Sequence, residues 1–235
     1  MGPGLRLRRR GARALLVVFL AAGGAFAAPA GGASPPEAPP AALSKPHPEV
    51  DRLQRFLNKL ERFEADFHQV QLTASGGEGP RSEGRLYAAK PGRFLWDYRT
   101  PFAQQIVSNG TTVWYYEPDL RQVTRTGAEK IKDAPAMFLA QGGKIPDMFR
   151  WEVTQERMSD QSTLPMVRLI PLKEGNFQQL GVILDAKRDA VVRMEVVDHL
   201  GQRIRIDFSA IRINDPLDEQ KFHFTPPPGV DVVEG

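Results

Sequence analysis

The chain has 235 residues and a formal net charge of +3, but five of its 31 basic residues crowd into the first thirteen positions with no acidic residue among them. Removing those five turns +3 into −2, so a nucleic-acid partner, which needs clustered Lys and Arg on the mature surface, loses its compositional support. The absence of cysteine excludes disulfides, thiolate metal sites, thiol nucleophiles and acylation at a cleavage-site cysteine.

Residues 1–27 read as a secretory signal: Arg6, Arg8, Arg9, Arg10 and Arg13, then an apolar run from Ala14 to Ala22, then Ala25-Phe26-Ala27 as an A-x-A cleavage site. The run is far below the roughly 20 residues that span a bilayer, so export is expected rather than anchoring. Residues 28–48 are Pro, Ala, Gly and Ser with seven prolines, a composition too poor in apolar surface to order itself, and are expected to form a disordered tail. Residues 49–235 are expected to form one domain.

Val50, Leu53, Leu57 and Leu60 fall on one helical stripe, with Phe56 and Phe63 beside it and Arg52, Arg55, Lys59 and Arg62 facing away. This predicts an amphipathic helix from about Pro48 to Arg62. After Phe63 the period becomes two. Strands are predicted at Ala65 to Leu72, Arg81 to Ala88, Arg93 to Tyr98, Gln104 to Ser108, Thr112 to Tyr116, Gln122 to Thr126, Arg150 to Glu156, Met166 to Pro171, Gln178 to Leu184, Val191 to Val197 and Arg203 to Ile213. Hairpin punctuation separates them at Pro91-Gly92, Asn109-Gly110, Glu174-Gly175-Asn176 and Leu200-Gly201. The pattern is mainly β: one helix, then an antiparallel sheet large enough to curl strongly or become a barrel.

Alternation also assigns the dry face. Phe67, Leu86, the trio Phe94, Trp96 and Tyr98, the pair Leu180 and Val182, and Ile204, Ile206 and Phe208 point inward together with Leu53, Leu57 and Leu60 of the helix. Such a face needs a cover. The strand pattern breaks from Gly127 to Phe149, where Asp133-Ala134-Pro135 reads as a helix start and Gly142-Gly143 as its stop. Met137, Phe138 and Leu139 between them suit either a hinged lid over a cavity or an ordinary helix closing a filled core. Lys90 and Arg93, beside this interior in sequence, are expected at its rim, where they would suit an anionic or carbonyl-rich head group.

Catalytic signals are missing. His47, His68, His199 and His223 have no partner at metal spacing, and there is no zinc-protease, serine-hydrolase or phosphate-loop motif, so neither a metal nor another cofactor is expected. Asn214-Asp215-Pro216 reads as a turn and cap rather than part of an acid/base pair.

Five stretches in order, F-E-A-D-F-H-Q (Phe63 to Gln69), E-G-R-L-Y-A-A-K-P-G-R-F-L-W-D-Y (Glu83 to Tyr98), I-V-S-N-G-T-T-V-W-Y-Y-E-P (Ile106 to Pro118), A-P-A-M-F-L-A (Ala134 to Ala140) and K-F-H-F-T-P-P-P-G-V (Lys221 to Val230), resemble the LolA family of periplasmic lipoprotein carriers over Val50 to Gly235. The resemblance implies an open, strongly curled half-barrel with a helical lid over an apolar concave face that takes acyl chains. It also implies a monomer that receives triacylated lipoprotein from a LolCDE-type ABC transporter and delivers it to a LolB-type receptor. Lys90 stands where the family often carries arginine beside the proline, keeping the charge but losing the planar fork. Two other readings stay open: a lipid-sensing envelope-stress regulator of the same fold, and an exported lipid-modifying hydrolase.

Overall fold

The computed structural model describes residues 46–73, 77–131, 135–175 and 177–235; the expected signal, most of the expected tail, Asp133, Ala134 and Asn176 lie outside them. Helix α1 (Pro48–Lys59) opens with Pro48 in its first turn, and the His47 ring nitrogen Nδ1 accepts the Glu49 N–H at 3.2 Å. Composition groups His47 and Pro48 with the tail, but both take part in starting the helix. Twelve strands follow: β1 (Arg62–Leu72), β2 (Glu78–Ala89), β3 (Arg93–Thr100), β4 (Gln104–Asn109), β5 (Thr112–Glu117), β6 (Gln122–Gly127), β7 (Phe149–Arg157), β8 (Thr163–Pro171), β9 (Gln179–Asp185), β10 (Ala190–Val197), β11 (Arg203–Ile213) and β12 (Asp231–Glu234). Two short helices, α2 (Pro135–Gln141) and α3 (Ile145–Met148), lie between β6 and β7.

α1 ends three residues before the predicted Arg62, because Asn214 is waiting at its end. The Asn214 side chain accepts the N–H groups of Glu61 and Arg62 at 2.7 and 3.0 Å and donates to the Lys59 carbonyl at 3.0 Å, so β1 can start at once. Leu60 stays buried although its backbone is extended.

All twelve strands form one sheet, in the order β12-β6-β5-β4-β3-β2-β1-β11-β10-β9-β8-β7. Each neighbouring pair is antiparallel except β12 with β6, a parallel pair that alternation did not foresee. Two meanders, β1 to β6 and β7 to β11, thus meet at a central seam between β1 and β11. One buried apolar cluster draws on both halves, from Val113 of β5 to Leu169 of β8, together with α1, so the sheet curls around the helix. It does not close, since β7 and β12 remain its two edges.

This order sets the course of two connections. β6 lies near one edge and β7 forms the other, so the connection between them must cross the whole sheet; its described residues, 128–131 and 135–148, lie on the inside and carry α2 and α3. β11 lies at the centre and β12 at an edge, so residues 214–230 cross half of the sheet on the outside. No helix of the described residues is long and apolar enough to cross a membrane.

Candidate functional site

The inner face is assembled from side chains that recur at every second position of the strands. Phe67, Gly84 and Tyr98 are successive Cα partners on β1, β2 and β3. Gly84 has to be glycine here, because a Cβ would stand 2.0 Å from the Asp97 carbonyl oxygen and 2.8 Å from the Phe67 ring. The space it leaves lets Phe67 lie edge-on to both Trp96 and Tyr98, with ring centres 5.4 and 4.9 Å away. Phe94, two residues back along β3, is fully buried. Leu86, Leu180, Val182, Ile206 and Phe208 are buried in the same cluster, and Ile204 packs against it half-buried.

The cover comes from two directions. α1 inserts Leu53, Leu57 and Leu60, all buried. α2 contributes Met137 and Leu139, also buried, while Phe138 is half-buried and meets Phe149 edge-on at 6.3 Å. The sixteen apolar residues singled out by strand alternation, by the helical stripe and in the insert therefore converge on one interior, which the helices close off from water.

Few polar contacts hold the inner crossing in place. The Gly92 N–H donates to the Ala140 carbonyl at 2.8 Å, joining α2 to the β2–β3 turn. Gln54 of α1 donates to the Gly143 carbonyl at 2.9 Å and accepts the Ile145 N–H at 2.7 Å. Gly142 and Gly143, with φ of 71° and 136°, make the turn after α2 in backbone conformations that other residues rarely adopt. Gln54 was not identified from sequence; its only signal is a polar side chain beside the apolar stripe.

The two expected rim cations part company. Lys90 stands between the two covers: its ammonium donates to the Leu57 carbonyl at 2.5 Å and its aliphatic stem lies against Gly142, so it touches both α1 and the turn after α2. Arg93 is on the outer face. Its guanidinium pairs with Glu219 and lies over the Phe222 ring, 5.5 Å from the ring centre, which locks the outer crossing in place. The alternation that sends Phe94 inward sends Arg93 outward, so its proximity to the interior in sequence misleads.

Polar groups are rare on the inner face. Gln69 is buried there and accepts the Tyr98 hydroxyl at 3.1 Å; burial pushes the Tyr98 phenol well above its ordinary value. Sequence reasoning passed over Gln69, although it sits two residues after Phe67 and must share its face. Tyr115, also not singled out, reaches the interior from β5, and burial raises its phenol in the same way. The histidines lie apart: besides His47 on α1, His68 sits 3.7 Å from Glu83, and His199 meets the Gly175 carbonyl at 2.8 Å. Among the described residues no group of three His, Asp or Glu is placed to hold a metal ion.

Comparison with known proteins shows the family. The family model for "Outer membrane lipoprotein carrier protein LolA" matches residues 58–225. The outer-membrane lipoprotein carrier protein of Methylococcus capsulatus is 39% identical over 186 residues, covering 78% of this chain and 86% of that protein. Its counterpart in Chromobacterium violaceum is 34% identical over 187 residues, covering 79% and 87%. Among solved structures, the LolA superfamily protein NE2245 from Nitrosomonas europaea aligns with a TM-score of 0.43 at 10% identity, over 74% of this chain and 96% of that one. On the family model and these relatives, the chain belongs to the LolA family of outer membrane lipoprotein carrier proteins.

Proposed function

We propose that the protein is a periplasmic carrier that shields the acyl chains of lipoproteins between the inner and the outer membrane. Residues 1–27 act as the export signal and residues 28–48 as a spacer ahead of the carrier domain. Cargo arrives from a LolCDE-type ABC transporter and leaves to a LolB-type receptor. The observation that carries this reading is a continuous apolar interior inside an unclosed sheet, covered by helices that few polar contacts hold down.

The energetics demand such an interior. Each lipid CH₂ moved from hydrocarbon into water costs about 0.8 kcal/mol, so a chain of about 16 carbons would lose on the order of 12 kcal/mol in transit. A carrier must match the bilayer closely and still release, which requires a cover with two arrangements of similar energy. The crossing through α2 suits that role. Its apolar side chains bind it to the interior, but the same side chains pack equally well on lipid, and Met137 adapts to either at small cost. We place Lys90 as the catch, since its ammonium and stem join α1 to the turn after α2 in the closed form.

Phe94→Glu tests the assignment. A carboxylate at this fully buried position costs several kcal/mol while the interior is closed, so the variant should favour the open cover and change cargo uptake or release, with circular dichroism reporting a folded protein. Normal sorting of lipoproteins by that variant would remove this face from the cargo site. Mass spectrometry of protein isolated gently from a periplasmic extract should find triacylated lipoprotein bound to it.

A further inference from the structure

Two hydrogen-bond donors in the interior have no partner. The Trp96 indole nitrogen Nε1 and the Tyr115 hydroxyl are buried and meet no acceptor among the described residues. Trp96 as a whole is only 4% exposed. Their neighbour Tyr98, two residues along β3 from Trp96, is treated differently: its hydroxyl is matched to Gln69. A buried donor left unpaired forfeits its bond to water with nothing in return, and folded proteins hold few of them. Phenylalanine would serve hydrophobic packing at either position without that cost.

The two donors also share a line. Leu86, Trp96, Ile106 and Tyr115 are successive Cα partners across β2, β3, β4 and β5, so Trp96 and Tyr115 face inward on either side of Ile106. Two strand spacings put their backbones about 10 Å apart. The indole N–H can only donate, and burial raises the Tyr115 phenol so that it keeps its proton through neutral pH. Their complement is therefore a set of separate, uncharged acceptors that enter together with hydrocarbon. A fatty-acid carboxylate fits poorly, because both of its oxygens are on one carbon and Lys90, the cation between the two covers, already holds the Leu57 carbonyl.

We propose that Trp96 and Tyr115 donate hydrogen bonds to acyl carbonyls, ester or amide, of the bound lipid, so that the interior recognises where each chain is attached as well as its length. This rests on the carrier reading and goes one step past it. The polar end of the lipid is then held by β3 and β5, while the tails extend along the aromatic and aliphatic wall beyond them. Release becomes easier as well, since the carbonyls exchange these donors for those of a receptor or for water.

A matched pair of probes tests the proposal: 1,2-dioctanoylglycerol, and 1,2-di-O-octylglycerol, which has the same tails but ether links and no carbonyl. The purified protein should bind the diester about tenfold more tightly than the diether, as expected for one or two hydrogen bonds. Trp96→Phe and Tyr115→Phe should each reduce that preference by about three- to fivefold, the diester losing more affinity than the diether in both. Equal binding of the two probes by the unaltered protein would overturn the proposal and leave the carrier reading standing. So would variants that weaken both probes alike, a result that marks the residues as packing only. Binding of neither probe would sink the carrier reading and this inference with it. If Trp96→Phe does not fold, the more conservative Tyr115→Phe decides the matter alone.

Discussion

Two stretches of chain cross the same sheet on opposite sides, and they are fastened in different ways. The inner crossing, described over residues 128–131 and 135–148, is tied at its ends, where the Ala128 N–H donates to the Thr111 carbonyl, the Lys130 ammonium to the Gly235 carbonyl and the Leu172 N–H to the Met148 carbonyl, while its middle meets the sheet and α1 through the Gly92 to Ala140 bond and the two bonds of Gln54. The outer crossing, residues 214–230, is pinned throughout. Phe222 is buried against Tyr87 and Ala89, Phe224 lies between Trp114 and Tyr116 at 6.1 and 5.5 Å, and the Lys221 ammonium sits 4.4 Å from the Tyr87 ring centre. Asn214 anchors one end and the β12 pairing with β6 the other. On the carrier reading this difference suits a sheet that opens on one side without losing its shape, with the outer crossing holding the curl and the middle of the inner one lifting.

The largest effect is expected from Phe222→Ala. Truncating a buried aromatic side chain costs ~3–5 kcal/mol, so the thermal midpoint should fall sharply, while cargo release per folded molecule stays as it was. Faster release from the folded fraction would break the division between the two crossings. Gln54→Leu works the other way. It removes both bonds to the turn after α2 at a stability cost of ~1–2 kcal/mol, and dissociation of a bound lipid should quicken by more than the change in melting temperature suggests. Lys90→Met preserves the stem against Gly142 and removes only the charge. It should lower stability by about 1 kcal/mol or less yet shift the balance towards the uncovered form, read as quicker amide exchange in α2.

The smallest effect belongs to the outer charges. Arg205 and Arg81 hydrogen-bond the Glu78 carboxylate and hold its pKa below the ordinary carboxylate range. A depressed carboxylate stabilises the fold above its unfolded pKa and loses that contribution as the pH falls through its folded pKa. Glu78→Gln should therefore be slightly less stable than the parent protein at neutral pH and should converge with it in acid, while lipid binding shows no such trend.

Period two in the sequence located eleven of the twelve strands described: β11 agrees at both ends, seven lie within two residues of the prediction at each end, and β1, β2 and β8 begin three residues earlier. β12 escaped because Asp231-Val232-Val233-Glu234 is short and does not alternate; it is a strand only because β6 offers an edge beside it. The end of α1 was illegible for a similar reason, since Asn214, which stops it, lies about 150 residues away in sequence, although its neighbourhood did read as a cap. The interior was better defined. The strand residues picked by alternation all reach it, because a two-residue period leaves no choice of face, and the apolar residues of α1 and α2 join them. The same period puts Arg93 on the outer face, but its partners there, Glu219 and Phe222, were illegible, since only the outer crossing brings them near.

The unjoined borders at β7 and β12 matter for the size of what can be held. A cylinder whose staves are bonded all the way round has a fixed girth, and a wider guest must rupture a ladder to fit. Here the wall is a scroll: bending it outwards by a small angle per strand enlarges the lumen while every interstrand bond survives. On the carrier reading, guests with two tails or three would then share one container, at a cost set by sheet stiffness and not by broken pairing.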